Sequence, residues 1–293
     1  MIRKQSAGDW LLDVVAYASM TLMGIVTLLP FMNVLSKAFS AEWAVVTGKV
    51  SFLPIDFQLD TMKFVVTGQP FLNAFAISIY ITLAGTVISL AVTAITAYPL
   101  SKKEIKGMKW MMIVFVFTML FSGGLIPSYM LIKHLNLINN VWAVILPGVV
   151  NVFNLLIVKS YYETLPESLE ESARIDGASN LGIVFRIIIP LSLPVLATIC
   201  LFIAVGYWNE YFNPMLYLTQ ADLKPLQVYM RDLVMDAQGS SDMLYRNSDD
   251  LLNVTPEGVR SATIIASTVP IVLIYPFLQK YFIKGVLIGS VKG

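Results

Sequence analysis

Residues 171–190 read ESARIDGASNLGIVFRIIIP, a polar segment that bends at a glycine and returns to an apolar run ended by a proline. Most of this segment belongs to the connection 160–186, which separates two apolar stretches that are each long enough to cross a bilayer, and its last four residues begin the second stretch. The pattern predicts a short helix over about 165–176, a glycine bend, and a second helix that continues into the next apolar stretch. We call the whole connection the elbow.

The predicted ends of these helices carry capping residues. Thr164 followed by Glu167 forms a capping-box pattern at the start of the first helix. Gly177 suits the C-terminal stop of that helix, and Ser179 or Asn180 suits the cap of the next one. Local sequence therefore predicts both the bend and its position.

The first predicted helix has one narrow apolar face and an acidic first turn. The apolar face is spaced i, i+4 and i+8: Leu165, Leu169 and Ala173. The acidic side chains suit the positive end of the helix dipole: Glu167, Glu170 and Glu171. By composition alone the elbow could equally be an amphipathic connector at the lipid headgroups.

The chain around the elbow has the composition of a membrane protein. Its 293 residues are 57% hydrophobic and 13% charged, against about 25% charged in an ordinary soluble domain. We predict an all-α membrane protein with six transmembrane helices, at about 12–36, 71–99, 109–132, 138–159, 187–208 and 261–280. The first stretch is too long for a signal peptide and no small-residue cleavage site follows it, so we expect a retained anchor.

The distribution of Lys and Arg predicts the orientation. Short flanks on one side of the predicted spans carry twelve of the 20 basic residues, and most of the others lie in the long connections on the opposite side. The twelve are Arg3, Lys4, Lys102, Lys103, Lys106, Lys109, Lys159, Arg174, Arg186, Lys280, Lys284 and Lys292. Both termini and the elbow are therefore predicted to be cytoplasmic.

Several classes of function lack the residues they need. Between their flanks, the second to sixth predicted spans contain no Asp, Glu, Lys, Arg or His, whereas ion-coupled carriers and pumps keep such groups at mid-membrane. The sequence has no P-loop for nucleotide hydrolysis and no basic, aromatic-interleaved stretch for nucleic acid. Cys200 and His134 are each single in the chain, so no metal site is predicted. An ion-coupled carrier and a membrane scaffold remain the alternatives to a transporter driven by another polypeptide.

The frame of the elbow resembles the EAA signature of permease subunits in ATP-binding-cassette (ABC) importers. That signature has a glutamate, two alanines, a glycine six positions after the glutamate, and an I-x-L-P ending. The matching positions are Glu171, Ser172, Ala173, Asp176, Gly177, Ala178, Ile187, Ile189 and Pro190. Ser172 replaces the first alanine and Ile189 replaces the leucine, and both are small changes of size.

The resemblance extends over most of the chain and points to the sugar-transporting, MalG-like group. Residues 206–219 and 225–234 are similar to the turn after the fifth span in that group, and residues 281–293 are similar to its C-terminal tail. Residues 48–66 are similar to the first outer loop of permeases for complex oligosaccharides, including alginate-like and pectic oligomers.

The resemblance implies a type I ABC importer (MetI-like) permease core, forming a single permease domain over 1–293. It also implies outer loops at 37–70 and 209–260, the second of which reaches into the binding protein, and a cytoplasmic tail at 281–293. The implied partners are a second homologous permease (a heterodimer), two ATPase subunits that hold ATP and Mg, an extracytoplasmic solute-binding protein and membrane lipid. The implied location is the bacterial inner membrane, with no cofactor and no catalytic site in this chain. A permease of the same class for a non-sugar solute remains an alternative.

Three groups of residues follow as candidate sites. The ATPase-coupling group is Glu171, Ser172, Ala173, Asp176, Gly177, Ala178 and Pro190. The tail supplies two candidate ATPase contacts, Lys292 and Gly293. The candidate substrate path is Tyr207, Trp208, Asn209 and Tyr211, although aromatic residues near span ends also form the interfacial belt.

Overall fold

The computed structural model describes residues 7–102, 104–236 and 255–290, and none of these residues lies in a β-strand. The α-helices are α1 (Ala7–Ala38), α2 (Glu42–Val46), α3 (Asp60–Thr67), α4 (Gln69–Ser101), α5 (Met108–Leu120), α6 (Leu125–His134), α7 (Trp142–Gly148), α8 (Val152–Tyr162), α9 (Glu167–Ile175), α10 (Asn180–Ile183), α11 (Ile189–Leu191), α12 (Leu193–Asn209), α13 (Phe212–Tyr217), α14 (Leu226–Asp236) and α15 (Pro256–Ser290). A π-helical turn (Val184–Ile188) joins α10 to α11, and a 3₁₀ turn (Ala221–Leu223) precedes α14.

The first two predicted spans are single helices. In α1 the residues Trp10–Ala38 are long and apolar enough to cross a membrane, and so is the whole of α4. The apolar stretch of α1 is not buried within this chain, whereas α4 is partly buried. The sixth predicted span, 261–280, lies inside α15.

The next three predicted spans are not continuous helices. Each is a pair of helices: α5 and α6 meet at 111°, α7 and α8 at 44°, and the segment α10–α11 meets α12 at 82°. With each pair counted as one span, length and composition support up to five spans among the residues searched.

Local chemistry explains these breaks. Gly124 adopts a φ of +88°, which side chains other than glycine rarely adopt, directly before α6. Asn151 caps α8 by accepting a hydrogen bond from the backbone N–H of Asn154 at 3.1 Å. Pro194 lacks a backbone N–H and lies at the start of α12, where a helix tolerates proline.

The described chain falls into two compact units. The first comprises residues 1–71 and 230–269, and the second comprises residues 72–229 and 270–293. This division reflects contacts and does not test independent folding, so the single permease domain over 1–293 stays a prediction.

In the first unit, hydrogen bonds order the connection that follows α1. Asn33 donates from its side-chain amide to the carbonyl of Ser51 at 2.8 Å, and Lys37 pairs with Glu257 at 2.5 Å. The predicted outer loop 37–70 therefore contains two short helices, α2 and α3, held against fixed partners.

The second unit has an apolar core that joins the elbow to the membrane helices. Its buried residues come from α4, α8, the elbow and α12: Ala94, Ala97, Leu155, Val158, Ala173, Ile183, Val184, Ile188 and Ile199 among others. Within a membrane such a core is held by close van der Waals packing, because lipid tails are as apolar as these side chains. The elbow is thus part of this core.

Candidate functional site

The first helix of the elbow starts later than the capping box predicted. Helix α9 begins at Glu167, and its N-cap is Pro166, whose backbone is extended. The hydroxyl of Thr164 donates to the carbonyl of Tyr161 at 2.7 Å, so it satisfies the end of α8. The capping-box prediction for Thr164 was wrong, because that side chain serves the preceding helix.

The glycine bend is confirmed. Gly177 has a φ of +80°. The N–H of Ala178 donates to the carbonyl of Ala173 at 2.9 Å, and the N–H of Gly177 donates to the carbonyl of Arg174 at 3.0 Å. This pair of bonds is a Schellman motif, which ends a helix and fixes the direction in which the chain leaves it.

Ser179 is the cap of the next helix. Its hydroxyl oxygen accepts from the backbone N–H of Gly182 at 3.2 Å, which decides between the two predicted caps. Helix α10 then passes through the π-helical turn into α11, and the chain breaks at Ser192 before α12. The predicted continuation into the fifth span is therefore interrupted.

The part of the elbow around the Gly177 bend, which we call its outer rim, is polar and exposed. Five of the predicted coupling residues are exposed there: Glu171, Ser172, Asp176, Gly177 and Ala178. Pro190 is also exposed, in α11. Ala173 is only 8% exposed and packs into the core of its own unit. The structure therefore gives Ala173 a packing position, and the contacts of all seven with an ATPase stay a prediction.

Two apolar side chains on this rim were missed by the sequence analysis. Ile175 is 86% exposed and Leu181 is 67% exposed. Ile175 lies off the predicted stripe, and Leu169 on that stripe is itself exposed. The predicted bend at Gly177 already implied that Ile175 lies in the last turn of α9. Exposed apolar residues framed by polar ones are typical of an interaction surface.

The inner face of α9 holds a buried carboxylate that the sequence analysis also missed. Glu170 is 7% exposed and accepts a hydrogen bond from the hydroxyl of Tyr98 at 3.0 Å. It also pairs with the ammonium group of Lys102, which lies 5.2 Å from the centre of the Tyr98 ring. Arg174 approaches the same carboxylate at 3.9 Å. Glu170 thereby fastens the elbow to the end of α4.

The predicted substrate-path residues have different surroundings. The hydroxyl of Tyr207 bonds to the hydroxyl of Ser89 at 3.0 Å and donates to the carbonyl of Ile145 at 3.1 Å. A Cβ on Gly85 would lie 2.7 Å from the Tyr207 ring, and a Cβ on Gly148 would lie 3.0 Å from the Tyr207 hydroxyl oxygen. Tyr207 therefore packs α4, α7 and α12 together.

The other three path residues differ from one another in exposure. Trp208 contacts the edge of Phe75 with ring centres 6.1 Å apart, and its indole N–H is buried without a partner among the described residues. Asn209 and Tyr211 are exposed. A role for the four residues in a substrate path stays a prediction.

Some predicted features lie outside the described residues. Lys292 and Gly293 of the tail are among them, as is the part of the outer loop at 237–254. In the ranges that the structure does describe, no group of three or more His, Cys, Asp or Glu side chains could hold a metal ion.

Comparison with known proteins identifies the family. Residues 2–288 match the family model described as "Binding-protein-dependent transport system inner membrane component". Protein LplC of Bacillus subtilis (strain 168) is 43% identical over 273 residues, which is 92% of this chain and 91% of that protein. The polygalacturonan/rhamnogalacturonan transport system permease protein YtcP of the same organism is 40% identical, covering 97% of this chain and 99% of that one.

A solved structure agrees with this assignment. One chain of the crystal structure of a bacterial ABC transporter involved in the import of the acidic polysaccharide alginate superposes with a TM-score of 0.87 at 32% identity. The match covers 95% of this chain and 99% of that chain. The helical fold is therefore that of a permease core, and the chain belongs to the family of inner-membrane components of binding-protein-dependent transport systems.

Proposed function

We propose that this chain is one of two permease subunits of an ATP-driven importer of oligosaccharides, and that its elbow docks onto an ATPase subunit. The observation that carries the proposal is the elbow itself. Its inner face is fixed by Glu170 and the apolar core, while its outer rim exposes Ile175 and Glu171 beside the Gly177 bend. An elbow that is held to the membrane helices on one face and exposed on the other is suited to transmit force from a bound partner.

The energy source is proposed to lie in the partners. The predicted spans after the first lack ionisable groups between their flanks, so this chain offers no visible site for a driving proton or ion. ATP and Mg are accordingly assigned to two ATPase subunits, with no cofactor in this chain. A second, homologous permease would complete the path as a heterodimer, and a solute-binding protein would deliver the solute from outside.

The orientation follows from charge asymmetry. The basic flanks predict that both termini and the elbow lie in the cytoplasm, on the side proposed for the ATPases. When these subunits close on ATP, they would pull α9. The Schellman bend and the π-helical turn would pass that pull to α12, exchanging an outward opening for an inward one as a rigid-body switch.

The proposed solute is an oligosaccharide, with alginate-type or pectic oligomers as the first candidates. This proposal is supported by the relatives named above, two of which act on polymers rich in acidic sugars. An oligosaccharide also fits the absence of ionisable groups in the spans, since sugar hydroxyls are held by neutral donors and aromatic rings.

The test is reconstitution of the full complex in vesicles, with a panel of neutral and uronic oligosaccharides, a monosaccharide and an amino acid. We expect uptake that requires ATP and loaded binding protein and that favours an oligosaccharide. Faster ATP-coupled uptake of the monosaccharide or the amino acid would refute the proposed solute class. Uptake driven by an ion gradient without ATPase subunits would indicate a secondary carrier.

A further inference from the structure

An open cleft of about 470 Å³ lies in the first unit, near the start of α15. We call it the outer cleft, because the charge asymmetry places this end of α15 outside the membrane. It is lined by Val45, Val46, Val234, Thr255, Pro256, Glu257 and Arg260. Its volume falls in the range of small-ligand sites, about 300–1,000 Å³.

Hydrogen bonds hold the walls of the outer cleft in place. The carboxylate of Glu42 accepts from the hydroxyl of Thr61 at 2.7 Å and from the backbone N–H of Thr255 at 2.7 Å. The hydroxyl of Thr255 accepts in turn from the N–H of Gly258 at 3.0 Å, which caps α15. The start of α15 is therefore held to α2 and α3, so a ligand would meet a preorganised surface.

Arg260 in the lining of the outer cleft forms no ion pair with any described residue. Glu257 is engaged by Lys37 at 2.5 Å, and Glu42 is engaged through both of its oxygens. The Nε–H of Arg260 is buried and has no hydrogen-bond partner in the part of the chain that the structure describes. Buried N–H groups nearly always have an acceptor, so a missing acceptor calls for an explanation.

A carboxylate is the ligand group that fits this arginine. The planar guanidinium matches a carboxylate with two parallel hydrogen bonds, and both partners are charged. Val45, Val46 and Val234 add an apolar wall, which suits the C–H face of a sugar ring. We propose that the outer cleft binds a uronate unit of an acidic oligosaccharide, and that Arg260 recognises its carboxylate. This inference rests on the proposed function and names the substrate class.

The test compares the uptake of an acidic trisaccharide with the uptake of its uncharged ester. Trigalacturonate and its methyl ester have the same length and differ in charge, and both are supplied with saturating loaded binding protein to the full complex in vesicles. Arg260→Gln removes the charge, and Arg260→Lys keeps the charge but loses the planar fork. Arg231→Gln is the matched control, because Arg231 belongs to the same unit, is exposed and pairs with Asp232.

We expect Arg260→Gln to lower uptake of the acid about tenfold, in line with the loss of a charged hydrogen bond. Uptake of the ester should change by less than about twofold, because it makes no charged contact. For Arg260→Lys, the ratio of acid uptake to ester uptake should lie between the ratios of the wild type and of Arg260→Gln. If the Arg260→Gln complex does not assemble, the Arg260→Lys ratio alone tests whether Arg260 recognises the carboxylate. Arg231→Gln should leave both rates unchanged.

Equal losses for acid and ester would make Arg260 a structural residue and overturn the proposal, as would no loss at all. A wild-type complex that imports the ester but not the acid would overturn it while leaving the proposed function intact. A wild-type complex that imports no oligosaccharide would overturn both. The two failures are therefore distinguishable.

Discussion

The hydroxyl of Tyr98 donates a hydrogen bond to the carboxylate of Glu170 at 3.0 Å, although the two residues are 72 positions apart. The bond joins the end of a membrane helix to the inner face of the elbow, and Lys102 adds an ion pair to the same carboxylate. A pull on α9 would therefore reach α4 directly as well as reaching α12 through the bend.

Removing the Glu170 carboxylate should weaken the attachment of the elbow to the end of α4. We expect Glu170→Ala to cost about 1–3 kcal/mol, because it leaves Lys102 and the Tyr98 hydroxyl without their buried acceptor. Glu170→Gln should cost less, since it can still accept from Tyr98. The measurement is the thermal unfolding midpoint of the solubilised complex. Glu167→Ala is the matched control, because Glu167 is exposed on the same helix and is not one of the predicted coupling residues, and an equal loss in both alanine variants would contradict the assigned role.

Gly177 should be required for coupling more than for folding. Its φ of +80° strains any residue with a side chain, by about 1 kcal/mol, yet a Cβ there would meet no atom of this chain within 4 Å. We expect Gly177→Leu to insert and to pair with its partner permease, while uptake and stimulated ATP hydrolysis are lost. Gly177→Asn should cause less backbone strain than Gly177→Leu, since asparagine tolerates this conformation. Normal transport by Gly177→Leu would make the elbow a plain connector.

Ile175 should be an anchor for the ATPase. It is 86% exposed at the tip of the elbow, so Ile175→Glu should leave the stability of the free chain within about 0.5 kcal/mol. The same change places a charge in a docked apolar contact, and the ATPase should no longer co-purify. Leu53→Glu is the control, since Leu53 is 73% exposed in the predicted outer loop. Undiminished co-purification with Ile175→Glu would exclude Ile175 from the interface.

Adding a side chain at Gly85 should destabilise the chain, because the Tyr207 ring occupies that space. A Cβ on Gly85 would lie 2.7 Å from the Tyr207 ring, so Gly85→Ala should destabilise the chain by about 1–3 kcal/mol. Gly206→Ala is the control, because nothing lies within 4 Å of its Cβ position. A double-mutant cycle with Tyr207→Leu should show that the two losses are less than additive. Strict additivity would mean that the two residues do not share one packing site.

The orientation can be checked with single cysteines in a Cys200→Ser background. Cysteines at Ile105 and Ser290 should react with an impermeant thiol reagent only from the cytoplasmic side, and one at Ser240 only from outside. The reason is the excess of Lys and Arg on the predicted cytoplasmic flanks. Labelling from the opposite sides would reverse the orientation on which both proposals depend.

The sequence by itself determined the features that depend on interactions between residues close together in the chain. The bend at Gly177 and the cap at Ser179 depend on a few neighbouring residues, because a Schellman motif and an N-cap close within one turn. The largely helical character of the apolar stretches likewise follows from their composition. The breaks at Gly124 and Pro194 also have local causes, but composition averaged over a whole span conceals them.

The tertiary structure alone decided which side chains meet across long separations. The sequence analysis placed Glu170 among three first-turn acids, but the fold buries it against Tyr98. It placed Tyr207 in a substrate path or an interfacial belt, but the fold packs it against Gly85 and Gly148. The sequence holds no sign of such pairs, because their energy depends on the distance between helices and on what water is excluded, and neither quantity is set within one turn.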